Sequence, residues 1–246
     1  MENMLVRTVN IHKWFGKVHA LNGVDFDVGY NEVVGLVGDN GAGKSTLIKI
    51  LSGVYKADEG EIYYKGERVK FTSPSDARKL GIETVYQEQA LATNMNIPRN
   101  IFMGREVTGP LGLIDMKAMM ERSGEALENI GLHMKRLDSP VRVLSGGERQ
   151  GVAIARPLYF KAGLVVLDEP TIALSVKESQ QVLAFMERLK KQGVSVIFIS
   201  HNLHHVFPVA DRFVILTHGE KTADAKKEET SIDELEELII SGRARH

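Results

Sequence analysis

The chain has 246 residues and a formal net charge of −1, enough length for one large core or a core plus a subdomain, and no global basic field that argues for nucleic acid. Apolar residues at 43% and charged residues at 26% place it among ordinary globular chains. Cysteine is absent, which excludes disulfides and thiolate zinc sites and fits a reducing compartment.

In chain order, strands are expected over 5–9 and 24–28, and Val24-Asp25-Phe26-Asp27-Val28 alternates as a half-exposed antiparallel strand does. A continuously apolar strand at 33–37 leads into a helix over 43–52. Strands follow at 61–64 and 82–86. From 88 to 156 no parallel-strand signal occurs, and helices over 116–130 and 146–160 suggest a helical insertion with a loop at 104–112. Strands at 164–167, 194–199 and 213–216 alternate with helices over 177–192 and 231–240. Ser175, with Glu178 as the third helical residue, forms a capping-box pattern. From Thr222 the chain is polar and reads as a solvated tail with one packed helix. The whole predicts an α/β fold: a mostly parallel sheet core with an antiparallel β flank and a helical subdomain. No apolar run approaches bilayer-spanning length, and Met1-Glu2-Asn3-Met4 does not open a signal peptide, so a cytoplasmic chain is expected.

Residues 38–46 read Gly-Asp-Asn-Gly-Ala-Gly-Lys-Ser-Thr, a phosphate-cradling pattern between a strand and a helix. Small residues let backbone N–H groups turn toward a phosphate, and the helix N-terminus adds positive charge. Gly38, Asn40, Gly41, Gly43 and Thr46 shape this loop. Lys44 reaches the β- and γ-phosphates and Ser45 ligates Mg²⁺. At 164–171, Leu-Val-Val-Leu-Asp-Glu-Pro-Thr ends a buried strand in two carboxylates. Asp168 would hold Mg²⁺ directly or through water, and Glu169 would orient an attacking water. At 144–150, Leu-Ser-Gly-Gly-Glu-Arg-Gln opens a helix, with Ser145, Gly146 and Gly147 as a second anion site. One nucleotide does not need two such sites on one chain. The economical reading is a two-fold dimer in which Ser145 touches the γ-phosphate held by the other subunit.

The order phosphate loop, Gln87, Leu-Ser-Gly-Gly, Leu-Asp-Glu-Pro and His201 resembles the ATP-binding subunit of ABC transporters over almost the whole chain. The resemblance implies an ATPase of P-loop NTPase fold, with core 1–87 and 157–246 and helical subdomain 88–156. Phe15 then matches the aromatic that stacks on adenine, ahead of Trp14. Gln87 matches a residue that senses Mg²⁺ and the attacking water, and His201 one that contacts the γ-phosphate. His201 and His205 also stand four apart, a spacing that can bind metal on a helix, but with no cysteine and no further ligand pattern a metal site is not expected there; His19 and His218 read as ordinary surface or packing residues.

Three positions depart from the family pattern. Ser175 stands where aspartate usually helps join the two subunits, Glu148 replaces the commoner glutamine, and Pro157 replaces alanine and should kink or end its helix. The stretches 81–87, 174–179, 200–202 and 209–212 resemble the ATPases of monosaccharide importers. That implies ATP and Mg²⁺ as cofactors and two copies closing as a clamp on two ATP. It also implies integral-membrane permease subunits, an extracytoplasmic sugar-binding protein, and attachment to the inner face of the membrane through the permease. No nucleic-acid partner is expected. A groove around 87–103 would grip a permease helix, with Ile97, Ile101, Phe102 and Met103 either walling it or packed inside the subdomain. Another transport substrate, an exporter or a nucleic-acid ATPase are the alternatives.

Overall fold

Two sheets and one set of helices position everything that follows. The structure is a computed structural model that describes residues 4–86, 91–172 and 174–242. The chain begins with β1 (Met4–Phe15) and β2 (Val18–Gly29), an antiparallel hairpin turned by Gly16-Lys17. β3 (Val33–Val37) leaves this sheet for the other, and β4 (Glu59–Tyr64) and β5 (Glu67–Val69) return, giving the order β2-β1-β4-β5. The second sheet adds β6 (Ile82–Val85), β7 (Leu164–Asp168), β8 (Ser195–Ile199), β9 (Arg212–Thr217) and β10 (Glu220–Lys226) in the order β10-β9-β3-β8-β7-β6. All its neighbouring pairs are parallel except β9–β10.

The period-2 alternation of side chains sorts this second sheet into two buried faces. Val34, Leu36, Val166, Ile197 and Val214 face α1 (Lys44–Leu51), whose other side meets Leu21 and Phe26 of the first sheet. Val33, Val37, Leu167, Val196 and Phe213 face the remaining helices. Cover on both faces explains why β3, β7 and β8 are buried along their whole length and apolar but for Asp168 at the end of β7 and Ser195 at the start of β8.

α2 (Pro74–Lys79) precedes β6, and between β6 and β7 come α3 (Ile97–Ile101), α4 (Met116–Asn129), a 3₁₀ turn at Val141–Val143 and α5 (Gly146–Tyr159). Pro157 stands close to the end of α5: it sits in the last turn, its carbonyl accepts from the Ala162 N–H (2.9 Å), and the helix stops at Tyr159. α6 (Val176–Lys191), α7 (Leu203–Val206) and α8 (Ile232–Ser241) complete the chain.

Of the two readings of Ile97, Ile101 and Phe102, packing inside the subdomain is the one found: all three are fully buried, and Phe102 packs edge-on against Tyr159 with ring centroids 4.6 Å apart. One expectation is corrected: the stretch from Thr222 does not begin as a solvated tail. β10 pairs with β9 from Glu220↔Thr217 to Lys226↔Arg212, and as an edge strand it tolerates the charges that disguised it. The β1–β2 hairpin is also much longer than the two short strands expected there.

Candidate nucleotide site

The C-terminal ends of β3 and β7 and the chain just past β8 open onto one cavity of about 620 Å³. This is where loops of a parallel sheet can place polar groups without disturbing the core. Asn40, Gly41, Gly43, Lys44, Ser45 and Thr46 line it from the β3 side, and Asp168, Glu169 and His201 line it from β7 and β8. Six of these nine come from the loop after β3 and the first turn of α1, and the neighbouring strands of the sheet bring the other three.

The loop's backbone explains its glycines. Gly43 caps α1 in the left-handed region at φ 102°, and a Cβ there would stand 2.9 Å from the Ala20 carbonyl oxygen. Gly38 has φ 140°, and a Cβ would run into the Leu216 carbonyl. Lys44, the first residue of α1, is buried and folds back so that Nζ donates to the carbonyls of Gly38 (2.6 Å) and Asp39 (2.9 Å). Burial lowers the Lys44 ammonium from its ordinary value; the charges of Glu169, Asp39 and Asp168 pull it back up.

Asp168 ends β7 with a buried side chain. Burial raises its carboxyl, the Glu169 charge adds to that, and Lys49 and Lys44 oppose it. Glu169 is the next residue and holds a left-handed backbone, φ 51°, a strained conformation for glutamate. Its N–H donates to the Ile199 carbonyl of β8 (3.0 Å). The carboxylate is fixed at both oxygens: Ser200 Oγ donates to Oε2 (3.0 Å), and the His201 N–H donates to Oε1 (3.0 Å). His201 Nδ1 lies 2.8 Å from Oε1, so its Nδ1–H tautomer donates there too. A buried lysine, a strand-end carboxylate able to hold a cation and a second carboxylate aimed by three donors are parts that phosphoryl transfer to water uses.

Not every expected residue joins this group. Phe15 is 43% exposed, stands edge-on to Tyr55 at a centroid distance of 5.3 Å, and pairs across the hairpin with Val18, which does line the cavity. Gln87 lies outside the described residues. Ser145, Gly146 and Gly147 open α5 away from the cavity lining: Ser145 Oγ accepts from the Glu148 N–H (3.2 Å), and the Gly147 N–H donates to Glu178 Oε1 (3.1 Å). The helical pairing of His201 with His205 does not form, because α7 begins only at Leu203; His205 Nδ1 instead meets Thr171 Oγ1 at 2.9 Å.

The structure adds residues that spacing did not single out. His19, Val18, Ile172 and His218 line the cavity, and Ser200 anchors Glu169. His19 stacks on Trp14 with centroids 4.3 Å apart and planes 10° apart. The signal for Val18 and His19 is the pair Gly16-Lys17 between apolar runs: a two-residue hairpin turn would have paired Phe15 with Val18 and Trp14 with His19.

The family model described as ABC transporter matches residues 21–172. The chain is 46% identical over 237 residues to the xylose/arabinose import ATP-binding protein XylG of Sulfolobus acidocaldarius, covering 96% of this chain and 94% of that one. It is 44% identical to the fructose import ATP-binding protein FrcA of Rhizobium meliloti, covering 85% and 83%. Against ribose import ATP-binding proteins it spans about half of their length. An ATP-binding cassette of an ABC transporter, solved in its ADP conformation, superposes with a TM-score of 0.82 at 27% identity, covering 96% and 95%. A phosphate loop, two strand-end carboxylates and a histidine on one cavity, within a chain this similar throughout, are an ATP-binding ATPase domain, and the chain belongs to the ABC transporter family.

Proposed function

We propose that this chain is the ATP-hydrolysing subunit of a monosaccharide importer. The observation that carries the catalytic part is the convergence of Lys44, Ser45, Asp168, Glu169 and His201 on one cavity. Lys44 exchanges its two carbonyl partners for the β- and γ-phosphates of ATP. Glu169, aimed by Ser200 and His201, accepts the proton of the attacking water, and His201 turns its ring from Glu169 toward the γ-phosphate. Ser45 and Asp168 fit Mg²⁺: they are hard oxygen donors on the same cavity, and a cation would relieve the buried Asp168 charge. When bound, that ion neutralises charge developing on the β- and γ-oxygens.

The second half of each site comes from another copy. Ser145, Gly146 and Gly147 are donors at a helix N-terminus with no place in their own chain's cavity, so they close on the nucleotide of a partner in a two-fold pair. Phe15, at the rim, stacks on adenine, and Gln87 joins the Mg²⁺ shell.

Sugar import rests on the relatives' names, xylose/arabinose and fructose import proteins at 46% and 44% identity. Among the described residues no helix is long and apolar enough to cross a membrane, so a permease would hold the chain at the inner face of the membrane. A groove of about 220 Å³ between the core and the helices of 88–156 suits a permease helix; Val54, Arg78, Tyr86, Leu91 and Arg156 are among its walls. An extracytoplasmic sugar-binding protein completes the assembly.

The test is ATP-dependent dimerisation and phosphate release of wild type and Glu169→Gln, by light scattering and a phosphate assay. Glu169→Gln is expected to lose at least ~100-fold in hydrolysis and to stay dimeric with ATP. Hydrolysis at the wild-type rate would remove Glu169 from its role. For the sugar, a pentose- or hexose-loaded binding protein should raise the ATPase rate of the reconstituted permease complex.

A further inference from the structure

The donors assigned above to a partner's γ-phosphate are already occupied by carboxylates of their own chain. The Ser145 N–H donates to Glu148 Oε2 (2.8 Å), an ordinary capping box within α5. The other contact is not local. The Gly147 N–H donates to Glu178 Oε1 (3.1 Å), which projects from the first turn of α6. The remaining oxygen, Glu178 Oε2, accepts from the N–H (3.0 Å) and Oγ (2.8 Å) of Ser175. One carboxylate therefore fastens the start of α5 to the residue that opens α6. The approach is close: a Cβ on Gly147 would stand 2.7 Å from Gln181 Oε1 and 3.2 Å from Glu178 Cγ, so a side chain there would push the Gln181 amide aside and crowd Glu178. The Ser175 backbone and hydroxyl, then the Gly147 N–H, hold the Glu178 carboxyl down to about 2, which keeps it charged at neutral pH.

The segment that Ser175 closes begins at Glu169 and includes Ile172, which lines the nucleotide cavity. We infer that Glu178 is a positioning residue that couples capture of a γ-phosphate at Gly147 to the loop following Glu169. The inference rests on the reading that a partner's γ-phosphate lands on Ser145 and Gly147. A phosphate oxygen and Glu178 Oε1 compete for the same N–H, and both are negative, so arrival of one displaces the other. Glu178 then keeps only Ser175, and the tie between α5 and Ser175 opens. The loop beside Glu169 is thereby told whether the opposite nucleotide is in place. Ser175 and Glu178 supply this joint where the family pattern has an aspartate.

A cap-only role and a coupling role separate experimentally. In the full chain, Glu169→Gln is compared with Glu169→Gln/Glu178→Gln and Glu169→Gln/Glu178→Asp, following ATP-driven dimerisation by light scattering and thermal melting without nucleotide. Removing the competing charge should lower the ATP concentration for half-maximal dimerisation on the order of two- to fivefold. Aspartate keeps the charge at the cap but is too short to hold Ser175 and Gly147 together, so it should restore the melting temperature while shifting the ATP midpoint in the same direction. With Glu169 intact, so that hydrolysis can be followed, the single variant Glu178→Gln should lower the Hill coefficient of hydrolysis toward one. A lower melting temperature with ATP midpoint and Hill coefficient unchanged would make Glu178 a cap and overturn the inference. If Glu169→Gln alone does not dimerise with ATP, the cross-subunit site itself fails and the inference falls with it.

Discussion

Burial raises the Asp168 carboxyl above its ordinary 3.8, and the adjoining Glu169 charge raises it further. A carboxyl raised in the folded state resists ionisation there. Its contribution to stability is full below 3.8 and is lost as pH climbs through the raised value. Asp168→Asn should therefore melt higher than wild type at pH 7 by ~2–4 °C, for about 1 kcal/mol, while losing ATPase activity. The gap should close as the melts are repeated toward pH 4. A neutral-pH melting temperature at or below wild type would show that the charge is not a burden. Lys44, Asp168 and Glu169 were legible in the sequence because each sits at a fixed offset from an apolar strand, and His201 was reached through the family resemblance. Ser200 was not, since a serine beside a histidine has no spacing rule, and His19 becomes legible only once the Gly16-Lys17 turn is read; the sheet brings Ser200 Oγ to Glu169 and the hairpin brings His19 to the cavity.

At the scale of elements, the phosphate loop depends on a helix start that only glycine can make. Gly43 combines a left-handed φ of 102° with a position where an added Cβ would collide with Ala20 and Leu21 of β2. Gly43→Ala should destabilise the fold by ~1–3 kcal/mol, read as a lower urea midpoint, and weaken ATP binding in calorimetry more than tenfold. Retained affinity would mean that the loop can rebuild its backbone. The parallel strands were readable because burial on both faces removes polar residues from them. The hairpin strands and β10 were not, because half-exposed or edge strands carry charges, and Glu220, Lys221, Asp224 and Lys226 resemble a polar tail until β9 pairs with them.

The two sheets of the whole molecule are clasped by one side chain. Arg212 of β9 bonds Glu32 (2.8 Å) ahead of β3, Asp27 (3.0 Å) of β2 and Asp224 (2.9 Å) of β10, and the Asp27 carbonyl (2.9 Å) as well. Burial would lower its guanidinium pKa, but the hydrogen bonds and charge of Glu32, followed by those of Asp224, raise it well above the ordinary range. Arg212→Leu strands three carboxylates and should cost ~3 kcal/mol in urea unfolding, more than a surface pair would. A loss below ~1 kcal/mol would show that water compensates. In the sequence Arg212 figures only in the 209–212 resemblance; its role as a clasp was not legible, since its partners are scattered from residue 27 to residue 224. The same long reach governs how the chain comes into being. β3, which carries the phosphate loop, lies between β8 and β9, strands from the last quarter of the chain. During synthesis the loop therefore emerges on a strand with neither neighbour yet made. The nucleotide site is assembled only once Arg212–Thr217 has left the ribosome, and until then an apolar five-residue strand waits unpaired.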